Sequence, residues 1–236
     1  MAVVIAMVLH ECAHGYMAKW NGDLTAQYSG RLTLNPLKHF DAFGFMMLMV
    51  AGFGYAKPVP VNPHNFRRKR LGFFLVAVAG VTLNLILVFI CAFFLALLEK
   101  TSGQFFYVSL SSEFAPNVGV YILSNFLYFM MVINANLVIF NLLPIFPLDG
   151  HRILESATGP LNRVTKFLRD FGPYILIGLV LLGALSRLMA EKVNWYPAYL
   201  DPLGFLLETV GGGIRDCFIN LWRFVFGVPP LWGVPW

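Results

Sequence analysis

Residues 71–98, LGFFLVAVAGVTLNLILVFICAFFLALL, contain no charged side chain. A helix needs about 20 apolar residues to cross the hydrocarbon of a bilayer, where only helices and closed barrels satisfy their own backbone. The run lies between Arg67-Arg68-Lys69-Arg70 and Glu99-Lys100. It predicts a transmembrane helix and restricts the rest of the chain to what can pack around one. Composition agrees, because 12% of the residues are charged and 58% hydrophobic, whereas soluble domains carry about 25% charged residues. A chain of 236 residues has room for about four to six crossings and short loops. The prediction is an all-α polytopic membrane protein with about five to six transmembrane helices. It forms a single membrane-embedded domain over 1–236, with a catalytic core in 1–155 and C-terminal helices in 156–236.

Other apolar stretches follow. One runs over about 118–140 and leads into NLLPIFPLDG (141–150). Another spans about 172–190 and contains Arg187, which can snorkel to the interface. Region 203–226 contains Gly211-Gly212-Gly213 and Arg215-Asp216, and reads as a broken span or as a short span followed by an interfacial helix. LWRFVFGVPPLWGVPW (221–236) reads as an aromatic interfacial anchor. YSGRLTL (28–34) alternates apolar and polar residues after a turn at Asn21-Gly22-Asp23, which predicts a short strand. Segment 39–56 is apolar, broken by Gly and basic on both flanks; it reads as a re-entrant loop lining a cavity, or as a short membrane helix. A β-hairpin or re-entrant loop is therefore expected after the first helix.

Basic residues set the orientation. Lys19, Arg31, Lys38, Lys57, Arg67, Arg68, Lys69, Arg70, Arg152, Arg163, Lys166 and Arg169 are 12 of the 17 Lys and Arg. With all of them in the cytoplasm, the first helix descends to Lys19, 71–98 rises, 118–140 descends and 172–190 rises. The net charge of +5 then reflects cytoplasmic loops, and no nucleic-acid partner is expected. Cys12, Cys91 and Cys217 have no paired spacing, against both a disulfide framework and a Cys-based zinc site. No secretory signal peptide is recognisable. The pattern fits a prokaryotic plasma membrane.

Against this background His10-Glu11-Cys12-Ala13-His14 stands out. HExxH on a helix puts two His on one face, one turn apart, with the Glu placed to act on a metal-bound water. Ionisable residues in a spanning segment are costly and usually functional. His10 and His14 are candidate zinc ligands and Glu11 the candidate general base; an interfacial polar cluster is the plainer alternative. Zinc in a catalytic site takes a third protein ligand and keeps one position for water. Asp149 is the leading candidate, since it follows an apolar helix broken by Pro144 and Pro147; His151 is its rival, and Asp149-Gly150 could be a plain turn. Cys12, about 200° around the helix from His10, should face away from the metal. Asn134 and Asn136 read as interhelical hydrogen bonders. Asn141 is balanced between packing and substrate contact.

Together, HECAH with Gly22-Asp23, GRLTLNPLKHFD (30–41), AKPVPVNP (56–63) and NLLPIFPLDG (141–150) resemble the site-2 protease family of intramembrane zinc metalloproteases. The resemblance covers about residues 5–155, with the motifs in the family's order. It implies zinc ligands His10, His14 and Asp149, with Glu11 catalytic. AGVTLN (79–84) is similar to the family's AGPxxN segment, with Val81 where Pro is usual, and implies that Asn84 helps hold the substrate or the transition state. There is no space for a PDZ or CBS domain, so the resemblance implies a minimal catalytic core. The implied function is regulated intramembrane proteolysis. A peptide bond within or near the transmembrane helix of a membrane-anchored protein, such as a regulator, is hydrolysed at a site opening toward the cytoplasm. A substrate helix must unwind to be cut, and an edge at 28–34 or in the 39–62 loop could pair with it. Two other classes use the same ligands: a membrane zinc transporter or metal sensor, and a binding scaffold without proteolytic activity. A transport path would place ionisable residues along several helices, and 71–98 and 118–140 contain none.

Overall fold

The computed structural model describes residues 1–42, 44, 46, 56–102, 118–193 and 201–230. Helix α1 is Ala2–Trp20, and the single-turn helices α2 and α3 are Thr25–Tyr28 and Pro36–His39. A 3-10 turn at Pro63–Asn65 precedes α4 (Lys69–Ser102), α5 (Val118–Leu142), α6 (Asp149–Thr158), α7 (Arg163–Val193) and α8 (Pro202–Val225). Helix is the only regular secondary structure among the described residues, with no strand among them. The protein is an integral membrane protein: α4, α5 and residues 163–186 of α7 are each long and apolar enough to cross a bilayer. Helices α1 and α8 do not join them on composition. The first carries His10, Glu11, His14 and Lys19, and the second Glu208, Arg215, Asp216 and Arg223.

Helix α4 is the centre of the bundle and packs on α1, α5, α6 and α8. Helices α1 and α5 run antiparallel to it. His14 meets α4 at Val76 and His10 meets it at Asn84, while Ala2 packs near Val88 to Ala96. Val138 and Ile139 of α5 meet Val81, and Met130 and Met131 meet the stretch Val88 to Ala96. Helix α8 runs parallel to α4. Leu206 and Leu207 pack beside Val81, the Trp222 indole donates to Phe89 O at 3.2 Å, and Arg223 reaches Glu99. The chain therefore enters α8 at the end where α4 begins. Gly183, midway along α7, already lies against the Asp201 carboxylate that caps α8.

Two local expectations are corrected. The stretch 28–34 is the end of α2 followed by a turn and bends instead of a strand; Thr33 O receives Cys12 Sγ and His39 Nε2, so its backbone serves side chains instead of a ladder. The triple glycine at 211–213 does not break α8. A Cβ at Gly211 would stand 2.6 Å from Asn136 Oδ1, so the glycine admits α5 at close range, as small residues do between membrane helices. Most of the 39–56 loop, and residues 231–236 of the aromatic end, lie outside the described residues. So does the Arg187 side chain. The three cysteines are free.

At the far end of the bundle Glu99 and Arg223 are both buried. One Arg223 nitrogen, Nη1, reaches both Glu99 oxygens, and Nε donates to Pro229 O at 2.6 Å. Glu99, a flank in the sequence, is thus a buried anchor for α8. Removing one partner of such a pair leaves an uncompensated charge and costs about 3–5 kcal/mol. Arg223→Met should lower the thermal stability of the detergent-solubilised protein sharply. Glu99→Leu/Arg223→Met should recover most of the loss; a double variant as unstable as the single one would show that the charge pair is not what anchors α8.

Candidate metal centre

The apolar face of α1 places His10 and His14 one turn apart, and both are buried. Two prolines end α5 and redirect the chain: α5 stops at Leu142, residues 143–148 cross over, and α6 starts at Asp149. A carboxylate in the first turn of a helix is favoured by the helix dipole. Gly150 makes the turn possible, since a Cβ there would stand 2.3 Å from the carbonyl oxygens of Leu142 and Leu143.

This brings three ligand atoms together. His10 Nε2 and His14 Nε2 are 3.0 Å apart, and Asp149 Oδ2 lies 3.2 Å from the first and 3.1 Å from the second. A tetrahedral zinc with bonds of about 2.0–2.1 Å holds its ligands about 3.3 Å apart. The observed triangle is close to that spacing. The chemistry of the donors also fits. His14 Nδ1 is 2.7 Å from Val76 O; a carbonyl only accepts, so Nδ1 carries the proton and Nε2 presents a lone pair. Asp149 Oδ2 is buried and receives no hydrogen bond. A cation satisfies these converging acceptors together, and the three residues form a group able to hold a metal ion. The other Asp149 oxygen, Oδ1, is 3.6 Å from Arg152 Nη1.

Glu11 is half-buried on the next position of α1. Its Oε2 accepts the Val59 N–H at 2.8 Å, from the Pro-rich stretch 56–61. That stretch is tied down on both sides. Arg31 Nη2 donates to Lys57 O at 2.7 Å, and Asp23 accepts from Asn62 N and Asn65 Nδ2. Burial alone would raise the Asp23 carboxyl, but the hydrogen bonds from Thr25, Asn62 and Asn65 outweigh it and hold the group below its ordinary value. His10, Glu11, Pro58, Asn141, Leu148 and Leu176 are among the walls of a cleft of about 400 Å³, a size typical of ligand sites.

The remaining candidates separate. His151 is buried on the other side of α6, its Nε2 3.0 Å from Thr165 O, so the rival third ligand joins α6 to α7 instead. Cys12 points to Thr33 O, away from the triangle. Asn141 lines the cleft, its Nδ2 donating to Leu137 O. Asn134 Nδ2 donates to Met130 O of its own helix, an intrahelical bond where an interhelical one was expected. Asn84 is fully buried behind His10, with Nδ2 3.1 Å from His10 Nδ1. Sequence reasoning missed Gly80. A Cβ there would stand 2.5 Å from His10 Cε1 and 2.6 Å from His14 Nε2. The signal was a glycine four residues before Asn84 in an apolar helix. Val59 and Val76 contribute only backbone atoms, which no side-chain pattern announces.

Gly80→Ala should therefore lower bound zinc per chain well below the wild-type level in purified protein, because the added methyl displaces both imidazoles. His151→Phe should leave zinc binding in place. Metal analysis checks both, and loss of zinc in the His151 variant alone would move the third ligand from Asp149.

Comparison with known proteins is consistent with this geometry. The pattern of Peptidase family M50 matches residues 1–185. "Putative zinc metalloprotease" begins the names of relatives that include YwhC of Bacillus subtilis and Rip2 of Mycolicibacterium smegmatis. The first is 42% identical over 96% of this chain and 91% of its own length. The second is 27% identical over 93% of this chain and 79% of its own length. No solved structure gives a significant match. The chain belongs to peptidase family M50.

Proposed function

We propose that this chain is an intramembrane endopeptidase that hydrolyses a peptide bond within or near the transmembrane helix of a membrane-anchored protein. It is a zinc metalloprotease, as its family and the names of its relatives support. One observation carries the finer reading. His10 of the His10–His14–Asp149 triangle and Glu11 line one cleft, and that cleft takes walls from α5 and α7, helices apolar enough to lie in a bilayer.

In this reading His10, His14 and Asp149 hold the metal and Asp149 is the third ligand. Zinc held by these three residues would supply Lewis acidity, the chemistry that makes a carbonyl electrophilic and water acidic near neutral pH. Glu11 takes the proton of the attacking water and returns it to the leaving amine. The Val59 N–H fixes one Glu11 oxygen and leaves the other for this transfer. Asn141, on the cleft wall, is the residue placed to touch the substrate backbone. Pro58 and Pro60 hold their preceding residues extended, so the 56–61 stretch gives an unwound substrate a straight surface. The turn at 28–34 does not. The catalytic and C-terminal helices act as one membrane-embedded domain. Helices α1 and α8 complete a five-helix set with α4, α5 and α7. Lys19, the 67–70 cluster and Arg152 gather at the end of the bundle nearest the three ligand residues, which supports a cleft that opens to the cytoplasmic side of a prokaryotic plasma membrane.

Glu11→Gln tests the reading, since glutamine keeps the Val59 hydrogen bond but cannot carry the proton. The variant should retain about one zinc per chain and lose roughly 10²–10⁴-fold of its cleavage rate on single-span transmembrane peptides in detergent micelles. Wild-type turnover in the Glu11→Gln variant would overturn Glu11 as the base, and a wild type that binds zinc but cleaves no such peptide would leave a metal-binding membrane protein of another class.

A further inference from the structure

We propose that Asn84 is a positioning residue: its amide oxygen faces His10, accepts the Nδ1–H and fixes the tautomer that turns His10 Nε2 toward the metal. This rests on His10 being a metal ligand and goes beyond it, because it gives Asn84 a task other than holding the substrate.

Asn84 is fully buried and is not among the residues that line the cleft, so a substrate in the cleft does not reach it. What it touches is His10, with Nδ2 3.1 Å from Nδ1. A neutral imidazole carries one N–H. His10 Nε2 stands in the ligand triangle, 3.0 Å from His14 Nε2 and 3.2 Å from Asp149 Oδ2. To bind a cation there it must present its lone pair, and the proton then sits on Nδ1. An amide NH₂ opposite that N–H sets donor against donor. Meanwhile Asn84 Oδ1 is buried with no hydrogen-bond partner. A half-turn of the amide, whose two ends have nearly the same shape, moves the oxygen from a place without a donor to a place with one.

The same logic is already satisfied at the neighbouring ligand. His14 Nδ1 donates to Val76 O at 2.7 Å. Val76, Gly80 and Asn84 recur at intervals of four, on one stripe of α4. The first offers a carbonyl to His14, the second leaves room for both rings, and the third offers an amide to His10. Partners of this kind orient a ligating imidazole and raise its basicity, and their loss weakens metal binding by about 10–100-fold.

The test compares full-length Asn84→Asp and Asn84→Leu with wild type in detergent, reading the zinc dissociation constant by competition with a chromogenic chelator. Aspartate keeps an acceptor toward His10; leucine has a similar shape and none. Asn84→Leu should bind zinc about 10–100-fold more weakly, and Asn84→Asp should stay within a few-fold of wild type. Equal affinity in Asn84→Leu overturns the proposal, and so does equal loss in both variants, which would make the amide N–H or the packing the operative feature. If wild type itself binds no zinc, the proposed function fails first, a distinguishable result. If Asn84→Leu does not fold, zinc-loaded wild type with 15N-labelled histidine decides. A hydrogen-bonded, slowly exchanging proton on His10 Nδ1 is expected, and one exchanging freely with water contradicts the assignment.

Discussion

The close approach of α1 to α4 is the contact on which the site depends. Two imidazoles, set edge to face at 85°, must pack close against a helix, and a helix ordinarily presents a Cβ at every position. Gly80 removes that obstacle, with both His rings inside the space a methyl would take. The carbonyl of Val76 then lies within reach of one ring and the Asn84 amide within reach of the other. The ligand geometry is thus set by a stripe of α4 as much as by the helix that carries the motif. Asp149 is brought to the same place by a second glycine contact, Gly150 against the end of α5. Rigid helices on every side hold the three donor atoms, which is the support a metal site needs to keep its geometry.

An apolar bundle also has to account for each polar group it encloses. At the metal end the imidazoles, the Asp149 carboxylate and Asn84 answer one another. At the other end Glu99 and Arg223 do so, joining α4 to α8. Between them Asn134 turns its amide back to its own helix. Outside the bundle, Asp23 ties the segment after α1 to the 62–65 stretch, which in turn keeps Val59 on Glu11. Glu11 is therefore oriented from the loop side and the two imidazoles from the helix side.

Much of this could be read from residue patterns. The charge-free run of α4 and the apolar stretch of α5 are long enough that composition alone defines them. HExxH places two rings on one helix face by periodicity, and two prolines before Asp149 mark where α5 must stop. Other features were not legible, for physical reasons. The alternation in 28–34 mimics a strand, but its carbonyls are claimed by Cys12 and His39, a long-range effect. The triple glycine looks like a break until the Asn136 side chain is seen to occupy the missing Cβ position. The direction of α8 depends on Glu99 meeting Arg223, a pairing between residues 124 positions apart. Asp149 and His151 are nearly equivalent in sequence, and only the turn of α6 sends the first to His10 and His14 and the second to Thr165.

The central claim is that two imidazoles and one carboxylate hold zinc in a buried site with a position left for water. X-ray absorption at the zinc edge of the purified wild-type protein tests it most directly, because it reads the first coordination shell without requiring a substrate. The account predicts four light-atom neighbours at about 2.0–2.1 Å, with the multiple scattering of two imidazoles and none from sulfur. A third imidazole would put His151 or another histidine in place of Asp149, a sulfur neighbour at about 2.3 Å would bring in a cysteine, and either result would contradict the site described.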